Sequence, residues 1–301
     1  MSIEVHEPYM SVRQVAEYLH LNEKKVYEMV KEEQIPATKV TGKWLFPRNL
    51  VDRWLIESAH GGTLTDRLNI AGSDDPLLYR LVLAHTHEIN SRGMVNYTPT
   101  GTRMGLRLLQ SRRIDACCMH WGPSEESSLR HPALLKQHKQ YRQWVLLHLF
   151  KREQGIMVHP EVMAQITDTV QLFEGEWQWV QRQSGSGSQR FLMEVLGKSG
   201  KNIDDLNAVV NAHSEHEAAS LIVMRQADAA PGPRAAATEA GLGFISLGWE
   251  SFDVAMTRGI WFRHLFQALL KRLQSDEAQR MAMLLQGYDL SACGKLVWGD
   301  E

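Results

Sequence analysis

Small polar residues recur in three short loops of this sequence, and each loop is followed by an apolar helical pattern. The first loop begins at Ser73, the second is Thr100-Gly101-Thr102, and the third, residues 182–190, reads RQSGSGSQR. Hydroxyl groups and the N–H groups of a helix N-terminus are hydrogen-bond donors that suit an anion. Glycine lets the backbone approach a ligand closely. The three loops therefore predict a binding site for a small anion.

The predicted ligand-binding residues combine these hydroxyl groups with neighbouring glycines and charged side chains. They are Ser73, Asp74, Thr100, Gly101, Thr102, Ser184, Gly185, Ser186, Gly187, Arg190 and His213. Each hydroxyl has an alternative role, because serine and threonine commonly cap helices. Arg190 is suited to pair either with the anion or with a surface carboxylate. The third loop alone has the composition of a flexible linker, but tryptophans lead directly into it.

Apolar segments before these loops predict the strands that position them. Residues 68–72 and 94–97 precede the first two loops, and Asp75 and Pro76 are suited to begin the helix after the first. Strands that deliver small polar residues to helix N-termini form a common ligand-binding geometry in α/β folds. Further strands are predicted at 114–119, 146–150, 155–158, 208–210, 244–247 and 252–256.

The first sixty residues carry a different pattern. Ser11 and Asn22 are suited to cap two consecutive short helices, which together form a helix-turn-helix. Residues 38–46 read as a small hairpin around a glycine, and Pro47 is suited to open a third helix. The order of these elements predicts a winged helix-turn-helix.

This segment resembles the excisionase-like, MerR-type winged-helix family through residues 11–19, 22–30, 35–36 and 42–47. The resemblance implies that the second helix enters the major groove of double-stranded DNA and that the wing reaches phosphates. Residues 1–60 hold eight Lys/Arg and nine Asp/Glu, so binding to a protein is the alternative. A homodimer is expected, because it doubles the phosphate contacts. The predicted DNA-binding residues are Arg13, Lys24, Lys25, Tyr27, Lys39, Lys43 and Trp44.

From residue 68 onward the chain resembles the periplasmic-binding-protein-like sensor domains that are fused to winged helices in bacterial regulators. Related domains are fused to molybdenum-cofactor biosynthesis proteins. The resemblance rests on residues 71–78, 101–106, 114–116 with His120, 152–158, 182–190 and 226–230. It implies an α/β fold of the two-lobed, type II class. The predicted organisation is a winged helix-turn-helix at 1–60, a linker at 61–67 and a ligand-binding domain at 68–301, with lobe 1 at about 68–152 and 245–301 and lobe 2 at about 153–244.

Composition and missing motifs narrow the function classes. The net charge of −2 provides no global field for nucleic acid or membranes, and the three cysteines have no disulfide-framework spacing. The sequence shows neither a signal peptide nor an apolar run that would span a bilayer, so a cytoplasmic protein is expected. Nucleophile-elbow, P-loop and dinucleotide motifs are incomplete, which predicts a protein that is not an enzyme. His213 and His216 lack a third metal ligand, so no metal is expected.

These observations predict a transcriptional regulator whose two-lobed sensor closes around a small oxyanion. Molybdate or tungstate is the favoured effector, because the resemblance points to molybdenum-linked proteins and a shell of neutral donors suits a fully deprotonated dianion. Phosphate carries a proton and needs an acceptor such as Asp74, so phosphate and sulfate stay open. The alternatives are an oxyanion-binding accessory protein of molybdenum or tungsten cofactor metabolism and a sensor of a small organic ligand.

Overall fold

The computed structural model describes residues 8–32, 34–40, 42–58, 67–89 and 93–299 of the chain. The chain divides into two units, Met1–Thr65 and Asp66–Glu301. The predicted linker at 61–67 lies outside the described residues, apart from Arg67. Within the described ranges, no helix has the length and apolar character needed to cross a membrane.

The N-terminal unit packs three helices against a three-stranded antiparallel sheet. Ser11 and Gln14 form a reciprocal capping box at the first helix, and Asn22 caps the second by accepting from the Lys25 N–H. The hairpin turns at Gly42, whose φ is 83°. Both predicted caps and the predicted wing are confirmed. The elements are α1 Val12–Tyr18, α2 Glu23–Lys31, α3 Arg48–Ser58, β1 Tyr9–Met10, β2 Thr38–Val40 and β3 Lys43–Pro47, with sheet order β1-β3-β2.

Apolar side chains from the helices and the wing form the core of this unit. Val15, Val26 and Phe46 are fully buried in it. The predicted start of the third helix is off by one residue, because Pro47 is still paired with β1 and the helix begins at Arg48.

A ten-stranded mixed sheet runs through the second unit, in the order β5-β4-β6-β11-β7-β10-β8-β9, and β12 and β13 also pair with β7. The strands are β4 Arg67–Gly72, β5 Met94–Pro99, β6 Ala116–Met119, β7 Trp144–Val158, β8 Gln178–Arg182, β9 Asn207–Ala212, β10 Ala229–Pro233, β11 Gly243–Thr257, β12 Tyr288–Asp289 and β13 Leu296–Trp298. The helices are α4 Pro76–Ile89, α5 Thr102–Gln110, α6 Ser127–Leu135, α7 Pro160–Met163, α8 Thr169–Glu174, α9 Gly187–Lys198, α10 Glu215–Val223, α11 Arg234–Ala240, α12 Arg258–Trp261, α13 His264–Leu273 and α14 Asp276–Leu285.

Two antiparallel strands of 15 residues each, β7 and β11, form the centre of this sheet. β11 also pairs with β6, and β7 also pairs with β10, so both strands belong to both halves of the unit. The sequence pattern predicts two shorter strands in place of each, with polar residues between them. That prediction is wrong, because the polar residues Arg152 and Gln154 continue β7 and are fully buried.

Each half of the sheet has its own apolar core. We call the half with β4, β5 and β6 lobe 1, and the half with β8, β9 and β10 lobe 2. In lobe 1, Leu77 and Leu81 of α4 pack with Phe266 of α13. In lobe 2, Ala218 and Ile222 of α10 pack with residues of β10 and α11. The predicted loops therefore project from two lobes that share two strands.

Candidate ligand-binding site

The first two predicted loops follow β4 and β5 and contact each other. The hydroxyl oxygens of Ser73 and Thr102 are 2.8 Å apart, and the Thr102 hydroxyl also donates to a backbone carbonyl at 3.0 Å. The N–H groups of Thr100 and Gly101 both donate to the Gly72 carbonyl at 2.8 Å. These donors are thus engaged within the protein, where they fix the shape of lobe 1.

The third predicted loop leads from β8 into α9, and Ser186 is the N-cap of that helix. Its hydroxyl accepts from the Gln189 N–H at 3.5 Å. Ser184 is exposed, and Arg190 is exposed on α9, where its Nε donates to Glu194 at 2.7 Å. The structure therefore places Ser186 in a capping role and Arg190 in a surface ion pair, which are the alternative roles considered for them above.

The two lobes touch each other at these loops. The Arg103 N–H in lobe 1 donates to the Gly185 carbonyl in lobe 2 at 3.3 Å. A Cβ atom on Gly187 would lie 2.1 Å from the His120 Nε2 atom, so only glycine allows the start of α9 to approach His120 this closely. His213, by contrast, has an exposed side chain. The cleft between the loops is closed.

Buried charged side chains lie beside these loops. Arg152 on β7 is fully buried and faces Glu250, its partner on β11, with 2.7 Å between Nε and Oε1. Its Nη1 donates to the Asp75 carboxylate at 3.0 Å and to the Asp74 carbonyl at 2.7 Å. The guanidinium group also lies 4.8 Å from the centroid of the Phe252 ring. Arg152 thereby connects both central strands with the start of α4.

Lobe 2 contributes Arg182, Ser188 and Glu215 to the same region. The Glu215 carboxylate accepts from the Arg182 guanidinium and, at 2.7 Å, from the Ser188 hydroxyl. Arg152 Nη2 lies 3.7 Å from this carboxylate, and the Glu215 N–H donates to Asp74 of lobe 1 at 2.8 Å. The buried charge cluster, as we name it, comprises Asp74, Asp75, His120, Arg152, Arg182, Ser188, Glu215 and Glu250.

His120 is a neutral member of the buried charge cluster. Burial lowers its pKa well below the ordinary value, and the charges of Arg152 and Arg182 lower it further. Its Nδ1 lies 3.3 Å from Arg152 Nη2, and because a guanidinium can only donate, Nδ1 accepts and the proton is on Nε2. That N–H lies 3.5 Å from the Ser188 hydroxyl and 3.7 Å from the Glu250 carboxylate.

The protein environment shifts the pKa values of three carboxyl groups of the cluster in different directions. Burial raises the pKa of Glu250 to about 7, although Arg152 opposes the shift. Burial also raises the pKa of Asp75. Burial acts to raise the pKa of Asp74 too, but the hydrogen bond with His216 and further contacts outweigh it, and this pKa lies below its ordinary value. Two arginines and four acidic side chains thus share the cluster, and at neutral pH Glu250 is close to its own pKa.

One edge of the cluster is closed by ion pairs between the lobes. His216 on α10 lies 3.3 Å from Asp74 of lobe 1 and 3.1 Å from Glu239 of lobe 2. Hydrogen bonding to these two carboxylates raises the pKa of His216 to about 10, so its imidazole is charged at neutral pH. Arg80 on α4 donates to Glu239 at 2.6 Å. These contacts stabilise the closed arrangement of the lobes.

Some buried polar atoms in this region have no hydrogen-bond partner among the described residues. They are Asp74 Oδ1, Glu250 Oε2 and both ends of the Gln154 amide. Gln154 follows Arg152 by two residues on β7 and so shares its face of the strand. Because an unpaired buried polar atom destabilises a protein, such atoms indicate a place for a further hydrogen-bonding group. A small molecule with hydrogen-bond donors would satisfy these acceptors.

The sequence contains a signal for some of the residues that its loops did not predict. Arg152 lies between the apolar segments 146–150 and 155–158, and Arg182 lies two residues after Val180; a cation that is buried at such a position requires an acidic partner. Glu215 carries a weaker signal, since an acidic residue in the first turn of a helix is common on the surface. Pairing of these residues depends on the tertiary fold.

In the N-terminal unit the predicted DNA-binding residues lie at the surface. Trp44 is partly buried against the core, with Lys39 Nζ 5.7 Å from its ring centroid. The apolar side of α2 is buried through Val26, Met29 and Val30. The remaining predicted residues are exposed: Arg13, Lys24, Lys25, Tyr27, Lys39 and Lys43.

Solved structures of the same fold agree with this architecture. The chain superposes on PEB3 of Campylobacter jejuni with bound L-phospholactate at a TM-score of 0.51 and 16% identity, covering 73% of this chain and 98% of PEB3. A phosphate ABC transporter substrate-binding protein of Clostridium perfringens, with bound phosphate, gives 0.52 and 11%, covering 75% and 100%. Corynebacterium glutamicum OxyR gives 0.52 and 14%, covering 91% and 89%. At these identities the likeness concerns the fold alone.

Sequence comparisons identify both parts of the chain. It is 28% identical over 153 residues to the uncharacterized protein YvgK of Bacillus subtilis, and spans about half of that relative's length (49%). The helix-turn-helix domain family model matches residues 9–58. The PBP superfamily domain model matches residues 83–274, more than half of the chain. The protein therefore belongs to the PBP superfamily domain family and carries an N-terminal helix-turn-helix domain.

Proposed function

We propose that this protein is a ligand-responsive DNA-binding regulator, with a small oxyanion as its effector. The observation that carries the proposal is the presence of two buried arginines at the closed cleft of a PBP-like domain, in a chain that begins with a winged helix-turn-helix. Arginine presents several N–H donors in a planar fork that suits oxyanions. A ligand that contacts both lobes binds the closed state more tightly, and this difference in affinity drives a conformational switch.

The buried charge cluster favours an anion that carries a proton. Asp74 Oδ1 is an acceptor in need of a donor, as is Glu250 Oε2 when its carboxyl group is ionised, and hydrogen phosphate or a phosphate monoester supplies an O–H group together with negative charge. Molybdate and tungstate, which the sequence resemblance favours, are fully deprotonated and depend on the arginines alone. The ligands of the Clostridium and Campylobacter proteins, phosphate and L-phospholactate, are therefore the first to test.

Titration calorimetry on the full chain tests the effector class. We expect phosphate or L-phospholactate to bind in the micromolar range, and sulfate, molybdate and tungstate at least about tenfold more weakly, since they offer the acceptors no proton. Ser188→Ala removes one buried donor with little change in volume and should weaken the preferred anion. If none of the five anions binds more tightly than millimolar, the oxyanion proposal fails. If molybdate binds most tightly, the effector belongs to the class of fully deprotonated oxyanions.

A mobility-shift assay with the DNA upstream of the protein's own gene tests the regulatory part. We expect retardation at low salt, because the winged helix-turn-helix neutralises few phosphates and its binding weakens as salt rises. Adding the best anion should change the apparent affinity, and Ser188→Ala should bind the same DNA with a reduced response to the anion. Absence of retardation by the full chain at low salt would redirect the proposal to a winged helix that binds protein.

A further inference from the structure

The Glu215 carboxylate is bound in the way that an anionic ligand would be. It is 1% exposed, and it accepts from the Ser188 hydroxyl at 2.7 Å and from the Arg182 guanidinium. Arg152 Nη2 lies 3.7 Å from its Oε1 atom. Two cations and a hydroxyl from three different elements therefore converge on one carboxylate, which is itself an oxyanion.

From this geometry we infer that Glu215 is a built-in competitor for the anion subsite, and that an effector anion binds by displacing its carboxylate from Arg182 and Ser188. This inference rests on the proposed function and adds how the site is regulated. The cluster contains more acidic side chains than arginines, so it has no surplus positive charge to offer a second anion. The acidic residues are Asp74, Asp75, Glu215 and Glu250, and the arginines are Arg152 and Arg182. One carboxylate has to leave for a dianion to enter.

Among the acidic side chains of the buried charge cluster, that of Glu215 is the one whose position allows it to move away from the arginines. Asp74 and Asp75 are held at the start of α4, where Asp75 caps the helix by accepting from the Leu78 N–H at 2.9 Å. Glu250 is fixed within a central strand opposite Arg152. Glu215 is the first residue of α10, and its backbone N–H remains bound to Asp74 whichever way its side chain points. Displacement of the carboxylate thus leaves the contact between the lobes intact.

Acetate rescue tests the subsite without knowledge of the natural effector. Glu215→Ala removes the carboxylate and the methylene next to it, which acetate replaces almost atom for atom. Thermal unfolding of the full chain at constant ionic strength should show that acetate raises the Tm of Glu215→Ala by several degrees and leaves the wild type unchanged. The matched control is Glu217→Ala, which removes an exposed carboxylate from the same helical turn and should not respond. No acetate-dependent rise for Glu215→Ala would overturn the inference.

Phosphate titration of the isosteric Glu215→Gln variant provides a second test that does not depend on the alanine variant folding. We expect inorganic phosphate to bind at least about tenfold more tightly than to the wild type, equivalent to roughly 1.4 kcal/mol, because the competing charge is gone. If the wild type binds phosphate, then unchanged or weaker binding of phosphate to Glu215→Gln overturns the inference. Acetate rescue without phosphate binding in either protein supports the subsite and speaks against phosphate as the effector of the proposed function.

Discussion

The two units of this protein place their polar groups in opposite ways. Among the described residues of the N-terminal unit, every buried side chain is apolar, and the predicted DNA-binding cations are in water. The second unit buries four carboxylates, two arginines and a histidine at one cluster: Asp74, Asp75, Glu215, Glu250, Arg152, Arg182 and His120. In the first unit the proposed DNA-binding residues are therefore separate from those that stabilise the fold, whereas in the second the proposed effector-binding residues are themselves buried.

This difference determines what a substitution does. A surface cation contributes to an encounter with DNA and little to folding, because water already solvates it. A buried ion pair holds the fold only while both partners are present, because the remaining partner is left as an uncompensated charge. We therefore expect substitutions in the proposed effector site to change stability as well as binding, and substitutions of exposed cations on the winged helix to change binding alone.

The largest expected effect is the removal of Arg152. Arg152→Met leaves Glu250 and Asp75 without their cation and should lower the free energy of unfolding by about 3–5 kcal/mol. Urea denaturation of the full chain, followed by tryptophan fluorescence, measures it. Arg190→Met removes an exposed arginine whose partner Glu194 keeps Arg130, and should have little effect. Equal losses for the two variants would contradict the contrast between buried and exposed charge.

The pH dependence of the free energy of unfolding tests the contrast between buried and exposed charge at Glu250. Its pKa is 4.5 in the unfolded chain and about 7 in the fold, so the folded protein holds the proton more tightly between these values. This group's contribution is fully present below pH 4.5 and is lost as the pH rises through about 7, by on the order of 3 kcal/mol. Glu250→Gln should remove this part of the slope from denaturation curves measured across the window, whereas the exposed Glu217→Gln should retain it. Identical slopes in Glu250→Gln and wild type would contradict the assignment.

The smallest effect on stability is expected on α2. Replacing both Lys24 and Lys25 by alanine should leave the Tm unchanged, because both side chains are exposed. DNA affinity should fall by about tenfold at moderate salt, and the dependence of log K on log salt should become shallower by 1–2. Lys31→Ala, in the last turn of the same helix, is the matched control. A similar loss of affinity for Lys31→Ala would mean that the helix acts through its overall charge.

The sequence correctly predicts those helix starts that depend on contacts between neighbouring residues. Ser11 and Asn22 cap helices because their oxygens bond N–H groups three residues away, and Asp75 with Pro76 begins α4 for the same local reason. The strand-loop-helix pattern of lobe 1 likewise predicted which loops would meet.

Apart from Asp74, the members of the buried charge cluster were not predicted, because they pair with residues that are distant in sequence. Arg152 and Glu250 are 98 residues apart, and Arg182 and Glu215 are 33 apart. When only neighbouring residues in the sequence are considered, polar residues such as Arg152 and Gln154 indicate an exposed segment between two strands. Their burial depends on β11 pairing with β7, which a local pattern does not contain.

The arrangement of the central strands has a consequence for synthesis of the chain on the ribosome. All described elements of the winged helix-turn-helix lie within the first 58 residues, so this unit can fold while most of the chain is unmade. Lobe 1 is different, because β6 lies between β4 and β11 in the sheet, and β11 ends at Thr257. Arg152 therefore emerges from the ribosome before its partner Glu250 has been synthesised. A nascent chain can therefore complete the fold of its helix-turn-helix unit well before the fold of its PBP-like domain.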